Sequence, residues 1–100
     1  MDAKIARQEL MPGKARLVSI DGVDVAVFQI GSEYFAVDNH CPHQHFSKLH
    51  EGGLEGSVIT CPMHGWSFDL ASGACVNGDG RLKKYAVTHD RDFITVKEVS

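Results

Sequence analysis

Apolar and polar residues along this chain alternate in short runs rather than in a helical period. Ala15-Arg16-Leu17-Val18-Ser19-Ile20 reads as a strand. Val23-Asp24-Val25-Ala26-Val27-Phe28-Gln29-Ile30 reads as a second, with Val23, Val25 and Val27 on one face. Asp21-Gly22 between two such runs is a strong two-residue hairpin signal. Gly31-Ser32-Glu33 makes another turn, into a strand over Tyr34-Phe35-Ala36-Val37. Further strands are predicted at Ser57 to Thr60, Trp66 to Asp69 and, after a Ser72-Gly73 turn, Ala74-Cys75-Val76. Leu82 to Thr88 and Phe93 to Val99 form a last pair joined across His89-Asp90-Arg91-Asp92. Only Ser47 to Glu51 hints at a helical turn. The pattern predicts an all-β fold, a small antiparallel sandwich or barrel. No repeat, linker or low-complexity segment divides the chain, so residues 1–100 read as one domain.

Composition narrows the class. Hydrophobic residues make up 43% and charged residues 23% of 100 positions, an ordinary globular balance. A domain of this size folds with little margin, and a bound metal centre can contribute substantially to its stability. No apolar run approaches the roughly 18 residues of a spanning helix, which argues against a membrane protein. Met1 to Leu10 contain no hydrophobic core of a secretory signal. Ten basic against 13 acidic residues give a net charge of −3, and Lys83-Lys84 is the densest basic pair. Nucleic acid is therefore not an expected partner. Three cysteines cannot complete a disulfide framework, and six histidines are many for this length. The expected location is the reducing cytoplasm, where grouped Cys and His bind metal.

The chemistry is concentrated in two segments, His40-Cys41-Pro42-His43-Gln44-His45-Phe46 and Cys61-Pro62-Met63-His64-Gly65-Trp66. Together they spell C-x-H, seventeen residues, C-x-x-H. Each follows a strand-like run, so two loops at one end of the scaffold can place two thiolates and two imidazoles around one centre. The proline after each cysteine stiffens the turn that presents them. Thiolate suits zinc and iron–sulfur centres, and imidazole suits either metal. Structural zinc sites usually space their ligands as C-x₂₋₄-C and H-x₃₋₅-H, whereas each knuckle here is mixed.

The double motif resembles that of Rieske [2Fe–2S] proteins. The resemblance extends over the strand-rich approach Val25 to Asp38, the Leu54-Glu55-Gly56 turn, and His64-Gly65-Trp66 through Phe68-Asp69 to Ser72-Gly73. It implies a β-sandwich or barrel with a cluster-binding subdomain formed by loops at about residues 39–49 and 61–69. It also implies one [2Fe–2S] cluster, with Cys41 and Cys61 on one iron and His43 and His64 on the other. Two neutral imidazoles make such a cluster less negative, which raises its potential above that of all-Cys plant-type ferredoxins. The resemblance further implies pH-dependent redox chemistry, because imidazole can lose its second proton.

Departures from the high-potential respiratory type place the chain at the other end of the Rieske range. That type has an extra cysteine in each loop, joined as a disulfide, and hydroxyl residues after its second histidine. Phe46 and Met63 stand at the cysteine positions, and Trp66 and Phe68 at the hydroxyl positions. Hydrogen bonds to sulfur stabilise the reduced cluster, so their absence predicts a potential of roughly −150 mV.

His45 lies where the family commonly has Gly, but the motif favours His43. His40 and His50 read as surface residues near the site, His89 as a turn residue without a function, and Cys75 as a buried inert thiol. Asn77-Gly78-Asp79-Gly80 replaces a proline-containing loop that often shields the cluster in this family. Phe46, Pro62, Met63 and Trp66 either pack the two loops together or form an apolar docking rim.

No nucleophile motif or phosphate-binding loop is present, and the chain is too short for the mononuclear-iron domain of a Rieske oxygenase. The resemblance thus implies a carrier rather than an enzyme. It would be a ferredoxin taking single electrons from a flavin or NAD(P)H-dependent reductase and passing them to a terminal oxygenase. The small subunit of NAD(P)H-nitrite reductase, bound to its large subunit, is an alternative with a similar Cys-Pro-x-His-Gly-Trp stretch. A zinc-stabilised interaction module is the alternative from a different class.

Overall fold

The computed structural model describes residues 2–11, 14–39, 49–61 and 65–98. Among these residues the chain forms β1 (Asp2–Ala6), β2 (Ala15–Ile20), β3 (Val23–Ile30), β4 (Glu33–Asp38), β5 (Gly53–Glu55), β6 (Val58–Thr60), β7 (Ser67–Asp69), β8 (Lys84–His89) and β9 (Phe93–Glu98). Two 3₁₀ turns, Arg7–Glu9 and Leu49–Glu51, complete the elements. A six-stranded antiparallel sheet in the order β1-β9-β8-β4-β3-β2 curls into a nearly closed barrel, and β5-β6-β7 form a second sheet of three strands.

The β2–β3 hairpin turns as the sequence predicts. Asp21 has φ 52° and Gly22 φ 81°, and Ile20 pairs with Val23 across the turn. Two successive positive φ angles match the twist of the strands, and Asp-Gly tolerates both. Val23, Val25 and Val27 do share a face, but Val23 lies beside the turn and stays 37% exposed.

β3 separates two cores. Val25 and Val27 pack with Ile5, Leu10, Ile20, Ala36, Tyr85, Ile94 and Val96, which come from around the barrel and fill its interior. The alternate residues Ala26 and Phe28 face outward and pack with Val37, Ile59, Cys61, Phe68, Leu70 and Leu82. This second core lies between the outer face of β3–β4 and the small sheet. A central strand buried on both sides reads as a continuous apolar run, as Val25-Ala26-Val27-Phe28 does.

Three sequence readings need correction. β1 was not anticipated, because only Ile5 among its residues is fully buried. Its partner is β9, at the other end of the chain, with Ile5 opposite Ile94. Gly53–Glu55 is a strand rather than part of a Leu54-Glu55-Gly56 turn, since Leu54 pairs with Ile59 and packs on the outer core. Ala74-Cys75-Val76 is not a strand; it makes isolated bridges, Phe68 to Cys75 and Ala74 to Arg81. The Ser72-Gly73 turn does form, with Gly73 at φ 81° and close to the Leu82 carbonyl, where a β-carbon would sit 2.7 Å away. The helical turn hinted at Ser47 to Glu51 appears as Leu49–Glu51, while Ser47, Lys48 and Val99 lie outside the described residues.

The small sheet belongs to one continuous stretch between β4 and β8, which are themselves neighbours in the barrel. Val37 pairs with Lys84, and the Asp38 N–H donates to the Lys83 carbonyl at 2.9 Å. The Lys83 ammonium also bonds to Glu98 at 2.9 Å, which holds the Lys83 pKa up and the Glu98 pKa down. Both side chains are solvent-exposed, so the pair contributes little to stability.

Candidate metal centre

The structure describes the roots of both cysteine–histidine loops. Of the four residues implied as ligands, Cys61 is described, whereas Cys41, His43 and His64 lie outside the described residues, as do His40, His45, Phe46, Pro62 and Met63.

Cys61 follows β6 directly and is 1% exposed, within the outer core beside Ile59 and Phe68. Its loop is the connection of the β6–β7 hairpin. Thr60 pairs with Ser67, their hydroxyl oxygens lie 2.8 Å apart, and the Cys61 N–H donates to the Trp66 carbonyl at 2.7 Å. Gly65, on the return limb, has φ 74°, a conformation that favours glycine. A soft thiol is thus presented at the mouth of a tight, backbone-closed turn whose sequence continues to an imidazole. This donor chemistry fits an iron centre ligated by sulfur and nitrogen.

The other loop is anchored by Asn39, the residue after β4. It is fully buried, and its N–H donates to the Asp24 carbonyl on β3 at 3.0 Å. Its side-chain oxygen accepts the His50 N–H at 2.7 Å, and its amide nitrogen lies 3.0 Å from His50 Nδ1. Residues 39 and 50 bracket the segment carrying Cys41 and His43, so this contact cinches the loop at its base. His50 is therefore a half-buried structural partner rather than a surface residue. Sequence reasoning missed Asn39; its signal is a lone amide closing an apolar strand two residues before a cysteine. Asn39→Ala removes the partner of the half-buried His50 N–H, and we expect a loss of about 1–3 kcal/mol in urea unfolding.

Cys75 is half-buried rather than buried, and its thiol donates to Asn77 Oδ1 at 3.4 Å. The segment that replaces the proline-containing loop folds over Trp66: a β-carbon on Gly78 would sit 2.3 Å from the indole Cζ3. Trp66 itself packs, partly buried, on the outer core. His89 ends β8, and its ring lies 4.9 Å from that of Tyr34, in the barrel's own framework. Phe68 is fully buried opposite Ile59 and carries no hydroxyl toward the site.

Residues 3–88 match the family model of the Rieske [2Fe-2S] domain. The chain belongs to the Rieske [2Fe–2S] family. A Rieske-type [2Fe–2S] cluster is accordingly its cofactor, and the zinc alternative is set aside. Among relatives, the 3-phenylpropionate/cinnamic acid dioxygenase ferredoxin subunit of Photorhabdus laumondii is 38% identical over 96 residues, covering 91% of this chain and 90% of that protein. Cholesterol 7-desaturase of Hemicentrotus pulcherrimus is 30% identical over 104 residues, but the chain, matched over 92% of its own length, spans only 22% of that protein. Among solved structures, a ferredoxin in complex with the oxygenase of carbazole 1,9a-dioxygenase superposes with a TM-score of 0.86 at 28% identity, covering 99% of this Rieske chain and 95% of that one. A protein described as a nitrite reductase NADPH small subunit superposes with a TM-score of 0.85 at 27% identity, covering 96% and 97%.

Proposed function

We propose that this protein is a low-potential Rieske ferredoxin, carrying single electrons from an NAD(P)H-dependent reductase to a terminal oxygenase. Cys41 and Cys61 would ligate one iron, and His43 and His64 the other, within one domain spanning residues 1–100. The observation that carries the reading is the placement of Cys61, buried at the tip of β6 in a hairpin loop closed by the Trp66 carbonyl. A Rieske cluster supplies one-electron transfer and no substrate chemistry of its own.

The residues around it bind and position. Asn39 holds the base of the first loop, and the Cys61–Trp66 hydrogen bond holds that of the second. Phe28, Ile59 and Phe68 exclude water from the cysteine side. Val76, 56% exposed and bonded through its N–H to the Ser67 carbonyl, would add to an apolar rim next to the return limb of the second loop. Carrier encounters are small and transient, so such a rim suffices for docking. The near-complete match to a dioxygenase ferredoxin subunit supports the oxygenase as acceptor.

Freshly purified protein is expected to be red-brown, with equal amounts of iron and acid-labile sulfide, and to give a rhombic electron-resonance signal on reduction. Its midpoint at neutral pH is expected near −150 mV, because the chain lacks both the loop disulfide and the sulfur-directed hydroxyls. A midpoint above zero would overturn the low-potential assignment. The nitrite reductase reading is favoured by the likeness to the small subunit noted above. It predicts a stable complex with a much larger enzyme, whereas the ferredoxin reading predicts turnover of an oxygenase by the isolated carrier.

A further inference from the structure

We infer that Asn77 is a positioning residue for the second cluster loop, fixing the Gly65–Trp66 peptide on the limb that returns from position 64. The inference rests on the ligand reading above and concerns the segment that stands in for the family's proline-containing loop.

Asn77 lies on the surface, yet both ends of its side-chain amide are used on the protein. Its nitrogen donates to the Gly65 carbonyl at 3.0 Å, and its oxygen accepts the Ser67 N–H at 3.0 Å and the Cys75 thiol at 3.4 Å. Gly65 and Ser67 flank Trp66 on the return limb of the Cys61 loop. The same limb is bonded on its other side, from the Cys61 N–H to the Trp66 carbonyl at 2.7 Å. One amide therefore spans three consecutive residues, and its two ends read opposite backbone polarities. No shorter or single-function side chain does both. The neighbouring Gly78 lies against the indole, where a β-carbon would sit 2.3 Å from Trp66 Cζ3, so the segment seats closely on the loop.

Gly65 needs this support. With φ at 74° it occupies a region where glycine has wide freedom, and it directly follows position 64. A hydrogen bond to its carbonyl orients the Gly65–Trp66 peptide plane, and so restrains the return limb of the loop one residue beyond position 64. A proline would stiffen such a segment through its own ring. Here the stiffness comes from a side chain reaching across it. Supporting contacts of this kind tune a metal site through the orientation of its ligands.

The test compares Asn77→Ala and Asn77→Asp with the native holoprotein. The readouts are iron loss to a ferrous chelator, the rhombic resonance signal, the midpoint potential and thermal unfolding. Asn77→Ala is expected to lose iron about tenfold faster and to broaden the resonance. Unfolding of the barrel should be little changed, because the residue belongs to neither core. Asn77→Asp can keep the bonds from Ser67 and Cys75 but turns a carboxylate oxygen toward the Gly65 carbonyl. It should lose iron at an intermediate rate and disfavour the reduced form about tenfold, which is 59 mV for one electron. Native iron loss, resonance and midpoint in both variants would overturn the clamp while leaving the ligand assignment standing. A native protein without a rhombic signal, or an unchanged cluster in Cys61→Ala, would overturn the ligand assignment and the clamp with it.

Discussion

Cys61→Ala is expected to yield a colourless protein with no bound iron and no rhombic resonance, whereas Cys75→Ala keeps both. The two cysteines separate cleanly on structural grounds. Cys61 is buried at the end of β6, in the hairpin loop that leads to position 64. Cys75 is half-exposed and already directs its thiol to Asn77. On the proposed ligand set, removing Cys61 would take away one of the two thiolates on the cysteine-bound iron, and alanine offers no donor in exchange. Because binding energy of the metal is also folding energy, the variant should be less stable than the loaded protein. Its far-ultraviolet spectrum should keep the strand signal, since the barrel interior contains neither cysteine. Iron and sulfide analysis of the two variants side by side decides the matter. Colour that survives in Cys61→Ala and disappears in Cys75→Ala would reverse the assignment.

Phe68→Ala is expected to cost about 3–5 kcal/mol, the range for truncating a fully buried aromatic side chain. Phe68 is 0% exposed and packs in the core between the small sheet and the outer face of β3–β4. At roughly 4 °C or more per kcal/mol for a domain of this size, the melting temperature falls by about 12 °C or more. The cavity would open beside Cys61 and Leu70, so iron retention should fall with stability. Val96→Ala provides the contrast. Val96 is equally buried, but inside the barrel, and its truncation should lower the melting temperature without hastening iron loss. Calorimetry together with a chelator assay separates the two cases. Equal iron loss in both variants would mean that the two cores are not separate supports.

Most of the barrel could be read from the sequence, because its strongest signals are local. Asp21-Gly22 announces its hairpin through the conformations those residues accept, and the runs on either side pair in the register that turn implies. The metal-binding chemistry was equally visible, since two mixed Cys–His knuckles separated by seventeen residues have few other uses. What escaped was non-local or nearly signal-free. β1 contributes a single fully buried apolar side chain and acquires its identity only from β9, at the far end of the chain. β5 is three residues long and begins with glycine, so its composition resembles a turn until Ile59 lies opposite Leu54. Ala74-Cys75-Val76 has strand composition, yet its neighbours supply only isolated bridges. Asn39 and Asn77 escaped for a different reason. Their importance lies in backbone groups that approach from distant positions, and an amide in a loop gives no hint of which carbonyl or N–H it will meet.

The small sheet and both cluster loops leave the barrel after Asp38 and return at Lys83, where those two residues are already hydrogen-bonded to each other. The departure and return points thus lie on adjacent strands, and the barrel's register does not depend on the length or content of what hangs between them. The excursion can therefore differ in length without re-threading the barrel, provided its apolar side chains still cover the outer face of β3–β4. The candidate metal centre thus rides on the barrel in the manner of an interchangeable head on a common handle.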